Sequence, residues 1–202
     1  MPRSTAQREL FGRHDALPTG LRYEPDWLTA DDEGALLTAI GGLALVEARY
    51  KAFTAKRRIV SYGAGYDFDR NDLAEAPPLP PFLLALREKA AGSADLPAQR
   101  LTQALVSEFR PCTTLGWHRD APPFGTVVGI SLAAPCRLRF RPYPPKPGRA
   151  VDGFELRLEP RSIYVLRDDA RWRWQHHVPP TKALRYSITF RTLRAESNGG
   201  GP

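Results

Sequence analysis

A histidine and an aspartate two residues apart, His118 and Asp120 in Gly116-Trp117-His118-Arg119-Asp120, could hold one metal ion between them. In an extended strand residues i and i+2 point to the same face, so the pair converges while Trp117 and Arg119 turn away. A third ligand comes from His176 or His177 in Trp174-Gln175-His176-His177-Val178-Pro179. Strand alternation separates these neighbours: Trp172, Trp174, His176 and Val178 share one side and read as interior, whereas Arg173, Gln175 and His177 read as solvent-facing. His176 is therefore the expected ligand. Two imidazoles and one carboxylate on one face leave three coordination positions open, the arrangement of non-haem Fe(II) oxygenases. Catalytic zinc accepts the same donors.

The same alternation applied to Arg185-Tyr186-Ser187-Ile188-Thr189-Phe190-Arg191 puts Arg185, Ser187, Thr189 and Arg191 on one side and Tyr186, Ile188 and Phe190 on the other. This is a polar pocket wall backed by an apolar layer. Two arginines on an inward face are costly unless anions neutralise them. A dicarboxylate supplies such anions in the fork geometry that guanidinium prefers.

His-x-Asp, the Trp-x-His-x-Val-Pro whose His176 stands 56 positions after Asp120, and the closing Arg-x-Ser-x-Thr-Phe-Arg together resemble the AlkB family of Fe(II)- and 2-oxoglutarate-dependent dioxygenases. The match runs in order over roughly residues 57 to 193. The resemblance implies that His118, Asp120 and His176 are the catalytic iron ligands and that Arg185 pairs with the distal carboxylate of 2-oxoglutarate. Arg191 would sit near the metal-bound end of that co-substrate or brace Asp120, with Ser187 and Thr189 lining the same pocket. Where the family usually carries an Asn and a Tyr against the co-substrate, this chain has Ser107, which can still donate a hydrogen bond, and Phe109, which cannot. Tyr164 either offers a substitute hydroxyl or packs structurally.

The implied reaction consumes O2 and 2-oxoglutarate, yields succinate and carbon dioxide, and hydroxylates a C–H bond. An N-methyl group so hydroxylated leaves as formaldehyde. The resemblance points to N-alkylated bases in DNA or RNA, reached in a single strand or a flipped nucleotide. Repair members of the family often carry an acidic residue two positions after the iron-binding Asp; here Ala121-Pro122-Pro123 follows Asp120. A protein or small-molecule substrate is therefore the alternative, and a binding protein without turnover is a third reading.

Bulk properties bound these readings. A chain of 202 residues with 42% hydrophobic residues fits one domain with its own core. The net charge of +7 favours polyanionic partners. Arginine outnumbers lysine 24 to 5, a bias that a GC-rich coding sequence also produces, so the placement of the charge is more informative than its sum. Residues 49 to 70 interleave cations and aromatics, and within them Arg58, Tyr62, Tyr66 and Phe68 are the candidate substrate contacts of a lid. Ordinary hairpin packing is the alternative there. Arg137, Arg139 and Arg141 alternate with Leu138 and Phe140, giving either a phosphate track or a solvated sheet face, and Arg167, Arg171 and Arg173 around a turn carry the same ambiguity. Two cysteines, Cys112 and Cys136, are too few for a disulfide scaffold. With no apolar run of transmembrane length and no signal-like start, a monomeric cytoplasmic protein is expected.

The elements that must position these residues follow from pattern. Residues 1 to 15 read as a flexible arm, 16 to 195 as a single dioxygenase domain and 196 to 202 as a disordered tail. Thr29 with Asp32 forms a capping box for a helix over 30 to 41, ended by Gly41-Gly42, and a second helix covers 81 to 91. Short alternating runs follow at 103–109, 115–119, 126–133, 136–142, 153–158, 162–166, 172–178 and 185–193. The expected class is mainly β, an α+β chain built on a double-stranded β-helix, or jelly roll, whose N-terminal helices buttress the larger sheet.

Overall fold

The computed structural model describes residues 17–50, 53–67, 69–145 and 153–194. The expected arm at 1–15, the tail at 196–202 and Phe68 lie outside the described residues. Strands β1 (Leu21–Glu24), β2 (Val46–Tyr50), β3 (Phe53–Tyr62), β4 (Gly65–Asp67), β5 (Asp72–Ala74), β6 (Leu101–Phe109) and β7 (Leu115–His118) precede β8 (Phe124–Leu132) and β9 (Cys136–Pro142). Then come β10 (Phe154–Leu158), β11 (Ser162–Leu166), β12 (Trp174–Val178) and β13 (Arg185–Leu193). Helix α1 spans Ala30–Gly41, α2 Pro81–Ser93 and the short α3 Asp168–Trp172.

Seven strands form the major sheet in the order β1-β11-β8-β13-β6-β3-β2, and four form the minor sheet in the order β10-β9-β12-β7. Every pairing between them is antiparallel, as a jelly roll requires. The eight strands expected after residue 102 are all present. The helix termini also match: Thr29 Oγ1 accepts from the Asp32 amide at 3.0 Å and Asp32 Oδ2 accepts from the Thr29 amide at 3.2 Å, while α2 opens on Pro81, whose missing N–H costs nothing at that position.

Period-two patterning gives the major sheet two different faces. Val106, Val128, Ile130, Ile188 and Phe190 turn outward onto Leu36 and Ile40 of α1 and Leu83, Leu86 and Ala90 of α2. Their partners of opposite parity face the minor sheet, where Leu138, Phe140, Leu156 and Leu158 meet Phe109, Val127, Tyr164 and Leu166. Phe190 is fully buried on the helix side, worth about 2–3 kcal/mol, and that anchorage holds β13 so its polar residues point between the sheets. Gly129 makes room for the same interior: the Tyr164 ring fills the space that a Cβ there would need.

Two expectations need correction. Trp172 does not share a strand with His176, because α3 intervenes and β12 starts at Trp174. Asp120 likewise lies two residues beyond the end of β7, so strand alternation alone does not aim its carboxylate. Among the described residues no helix is long and apolar enough to cross a membrane.

Candidate metal centre and adjoining pockets

His118 and His176 meet because β7 and β12 are antiparallel neighbours whose register places them directly opposite each other. Their ring centroids are 4.2 Å apart. Nδ1–H of His118 donates to the Gly116 carbonyl at 2.8 Å, which fixes the ring and leaves Nε2 for a metal. His177, of opposite parity, donates from Nδ1–H to the Leu115 carbonyl at 2.7 Å and packs on Trp117 with centroids 5.0 Å apart.

Asp120 is delivered by a loop, and Arg171 holds that loop. The Arg171 guanidinium, 2% exposed, donates to the carbonyls of Asp120 (3.1 Å), Ala121 (3.0 Å), Phe124 (2.7 Å) and Gly125 (3.0 Å). From the other side Arg191 places both Nε and Nη2 2.6 Å from Asp120 Oδ1, while its Nη1 donates to Gln103 at 2.9 Å. Asp120 Oδ2 is left buried without a hydrogen-bond partner, 3.6 Å from His176 Nε2. One ligand atom from each of His118, Asp120 and His176 lies within 4.8 Å of the others. A buried, unpartnered carboxylate oxygen facing two imidazoles fits a divalent cation, and the donor set fits Fe(II).

Electrostatics prepare the ligands in the protonation states a metal needs. Burial, followed by the neighbouring His118, pushes His176 down to about 3, and burial likewise lowers His118. Burial would raise the Asp120 carboxyl, but Arg191 and then the two histidines outweigh it and hold the group below the usual carboxylate range. In metal-free protein a histidine whose folded pKa is depressed contributes stability that is complete above its unfolded value near 6.5 and is lost as pH falls toward about 3. Metal-free protein should therefore lose about 2 kcal/mol from His176 between pH 7.5 and pH 5 in urea denaturation. A His176→Gln variant should show a flatter profile, and an equally steep one would contradict this assignment.

Between the sheets lies a narrow inner pocket. Arg185, Ser187, Thr189 and Arg191 of β13 line it together with Ser107, Phe109 and Tyr164. Arg185 is 2% exposed, donates from Nε to Ser131 Oγ at 3.2 Å and lies 5.1 Å from the Phe109 ring centre. Burial pushes the Tyr164 phenol up to about 12, so its hydroxyl stays protonated and can donate. A second, wider cavity of about 740 Å³ shares Arg57, His118, Asp120 and Arg191 with the inner pocket and is lined further by Lys56, Tyr66 and Phe124, and by Trp117 and Arg119, which alternation alone would turn away from it.

Of the lid residues expected from sequence, Tyr66 lines this cavity, packing its ring 6.4 Å from Phe124. Arg58 and Tyr62 do not. Along β3 the parity set Ala55, Arg57, Ile59 and Ser61 faces the cavity, so Arg58 turns to the opposite face, where it bonds Glu108 at 3.0 Å and the Leu45 carbonyl at 2.9 Å. Tyr62 packs with the helix-side core. The Arg137-Arg139-Arg141 row is an outer sheet face: Glu155 pairs with Arg137 at 3.3 Å and Arg139 at 2.9 Å, and Arg141 donates to Gln175 at 2.8 Å. Sequence reading missed Arg57 and left the role of Arg171 open. The alternation that selected His176 would have selected Arg57, had it been applied to residues 55 to 61.

Comparison with known proteins agrees with this geometry. A model of the 2OG-Fe(II) oxygenase superfamily matches residues 44–191. An alkylated DNA repair protein ALKBH8 homolog of Arabidopsis thaliana is 29% identical over 87% of this chain and 58% of its own length. The alpha-ketoglutarate-dependent dioxygenase alkB homolog 7, mitochondrial, of Bos taurus is 31% identical over 46% of this chain and 42% of its own. An uncharacterized protein, L905, of Acanthamoeba polyphaga mimivirus is 31% identical over 48% of this chain and 51% of its own. The chain thus spans about half the length of the curated relatives it matches. The solved structure of OsALKBH1 shares the fold at a TM-score of 0.67 and 15% identity, over 88% of this chain and all of that one. The chain belongs to the 2OG-Fe(II) oxygenase superfamily, a family that implies Fe(II) and 2-oxoglutarate, and it is similar to AlkB homologues within it.

Proposed function

We propose that this dioxygenase removes N-alkyl groups oxidatively from bases of DNA or RNA. The observation that carries this reading is the cavity of about 740 Å³ beside the metal ligands, where Tyr66, Trp117 and Phe124 offer ring faces and Lys56, Arg57 and Arg119 offer positive charge. A nucleobase stacks on such rings whatever its identity, while cations meet the phosphates around it. The Arabidopsis relative named for alkylated DNA repair supports the same reading.

His118, Asp120 and His176 hold the iron; with 2-oxoglutarate and O2 it supplies the oxidation of the C–H bond. The chain's own contribution is position and charge. Arg185 grips the distal carboxylate of 2-oxoglutarate, with Ser107, Ser187, Thr189 and the Tyr164 hydroxyl around it. Arg191 keeps Asp120 ionised and oriented, and apolar Leu105, Leu115 and Phe124 limit water near the reacting carbon.

Anaerobically loaded with Fe(II), the protein should form succinate from 2-oxoglutarate, faster with N-methylated single-stranded DNA or RNA than without, and release formaldehyde. One observation favours a second reading: Ala121, Pro122 and Pro123 put no charge beside the site to read a base edge. Turnover indifferent to nucleic acid would shift the assignment to a protein or small-molecule substrate. No succinate under any condition would remove the catalytic reading.

A further inference from the structure

The wide cavity is bordered by β7, the edge strand of the minor sheet. Parity puts Trp117 of that strand on the outer sheet face, beside His177 and Arg141, yet Trp117 also lines the cavity. Cavity and outer face are therefore continuous across β7. Arg119, just past the end of the strand, borders the same crossing.

Two guanidiniums stand there, and both are held in the same way. The Arg119 guanidinium carbon lies 3.8 Å from the centre of the Tyr143 ring, and its Nη1 donates to the Trp172 carbonyl at 2.8 Å. The Arg141 carbon lies 4.5 Å from the centre of the Trp117 ring, and its Nε donates to Gln175 Oε1 at 2.8 Å. Tyr143 is itself pinned, its amide donating to the Arg173 carbonyl at 2.8 Å. Among the described residues neither guanidinium pairs with a carboxylate; each has a ring and one neutral oxygen. The rest of the row differs. Arg139 stands opposite Glu155, which pairs with it at 2.9 Å and with Arg137 at 3.3 Å, whereas Arg141 stands opposite Gln175. A carboxylate neutralises a guanidinium, while a ring and a carbonyl orient it and leave its charge and its other N–H donors for an incoming anion. The outer face is thus quenched at Arg137 and Arg139 and left positive where it reaches the cavity.

We propose that Arg119 and Arg141 form a phosphate track: the polynucleotide strand that carries the target base leaves the cavity across β7 and lays its backbone on these two guanidiniums. A phosphodiester meets a guanidinium in a bidentate fork, and each contact releases a counterion from the strand. The inference rests on the nucleic-acid reading above and narrows it to a polymer, because Arg141 lies outside the lining of the cavity that takes the base.

The test is the affinity of Mn(II)-loaded protein, which binds without turnover, for a short N-methylated single-stranded oligonucleotide, followed by fluorescence anisotropy over a salt series. Arg141→Ala should weaken binding about three- to tenfold and lower the slope of log affinity against log salt by about 0.7, and Arg119→Ala should do at least as much. Arg141→Lys should keep the slope, because an ammonium still displaces a counterion, and lose part of the affinity that the fork supplies. Arg137→Ala and Arg139→Ala remove the same charge from the same sheet face and should leave both readouts at the parent's values. If Arg141→Ala fails to fold, Arg141→Gln and Arg141→Lys carry the comparison. The parent's slope in Arg141→Ala, or an equal fall in Arg137→Ala, overturns the track, the latter by making the effect one of bulk charge. A polyglutamate peptide that binds the parent as tightly as the oligonucleotide, and weakens in the same variants, overturns the polynucleotide as its occupant. Parent protein that binds no oligonucleotide at any salt overturns the nucleic-acid reading itself, and the track with it.

Discussion

His176→Ala should lose metal binding and 2-oxoglutarate turnover together, while His177→Ala keeps both. The two residues are adjacent in the chain yet face opposite sides of β12. His176 stands against His118 and Asp120, whereas His177 bonds the Leu115 carbonyl and packs on Trp117. Residues that merely touch metal ligands change affinity by about 10–100-fold when altered, so removal of a ligand should cost at least the upper figure. The His177 change removes one backbone hydrogen bond and one ring contact, about 1–2 kcal/mol of stability without a direct effect on the donors. Mn(II) titration and succinate release on both variants measure the contrast. Metal loss in His177→Ala with retention in His176→Ala would refute the centre described here.

That contrast was legible in the sequence because period-two alternation is a local property. It separates His176 from His177, and Arg185, Ser187, Thr189 and Arg191 from Tyr186, Ile188 and Phe190, without knowledge of what lies opposite. The strands from β6 onward were legible for the same reason, with Gly and Pro clusters marking several of their ends. In the first part of the fold the two helices were legible and the strands were not. β1 is four residues long, too short for a period to register, and β2 and β3 extend the major sheet within the stretch that reads as a basic, aromatic lid. Composition alone points to Arg58 there, but its parity sends it to Glu108. The i, i+2 spacing pairs Asp120 with His118, but the strand ends at His118 and a loop carries the aspartate. What fixes that loop is a residue 51 positions away, a dependence no local pattern contains.

Arg171→Ala should lower stability by about 3 kcal/mol and metal affinity by about tenfold or more, though Arg171 is not placed among the ligands. The loop after His118 has no ladder to satisfy its backbone, so the carbonyls of Asp120, Ala121, Phe124 and Gly125 converge on one guanidinium. Each buried acceptor stranded without a donor costs about 1–3 kcal/mol, discounted for water that enters the space. For a chain of this size the loss corresponds to a fall in Tm of roughly 6–12 °C. The consequence for the metal follows from the same bonds: once the Asp120 carbonyl is released, the carboxylate is aimed by Arg191 alone. Burial lowers the Arg171 pKa only to about 10, so the clamp stays charged at neutral pH, and Arg171→Lys should keep the charge while serving fewer carbonyls. Arg173→Ala is the matched control, because its side chain is 77% exposed and, among the described residues, pairs only with Asp169 at 3.4 Å, an interaction worth little. Thermal melting and Mn(II) calorimetry on the three variants decide the matter. Arg171→Ala that melts and binds metal like Arg173→Ala would show that the loop holds Asp120 without its clamp.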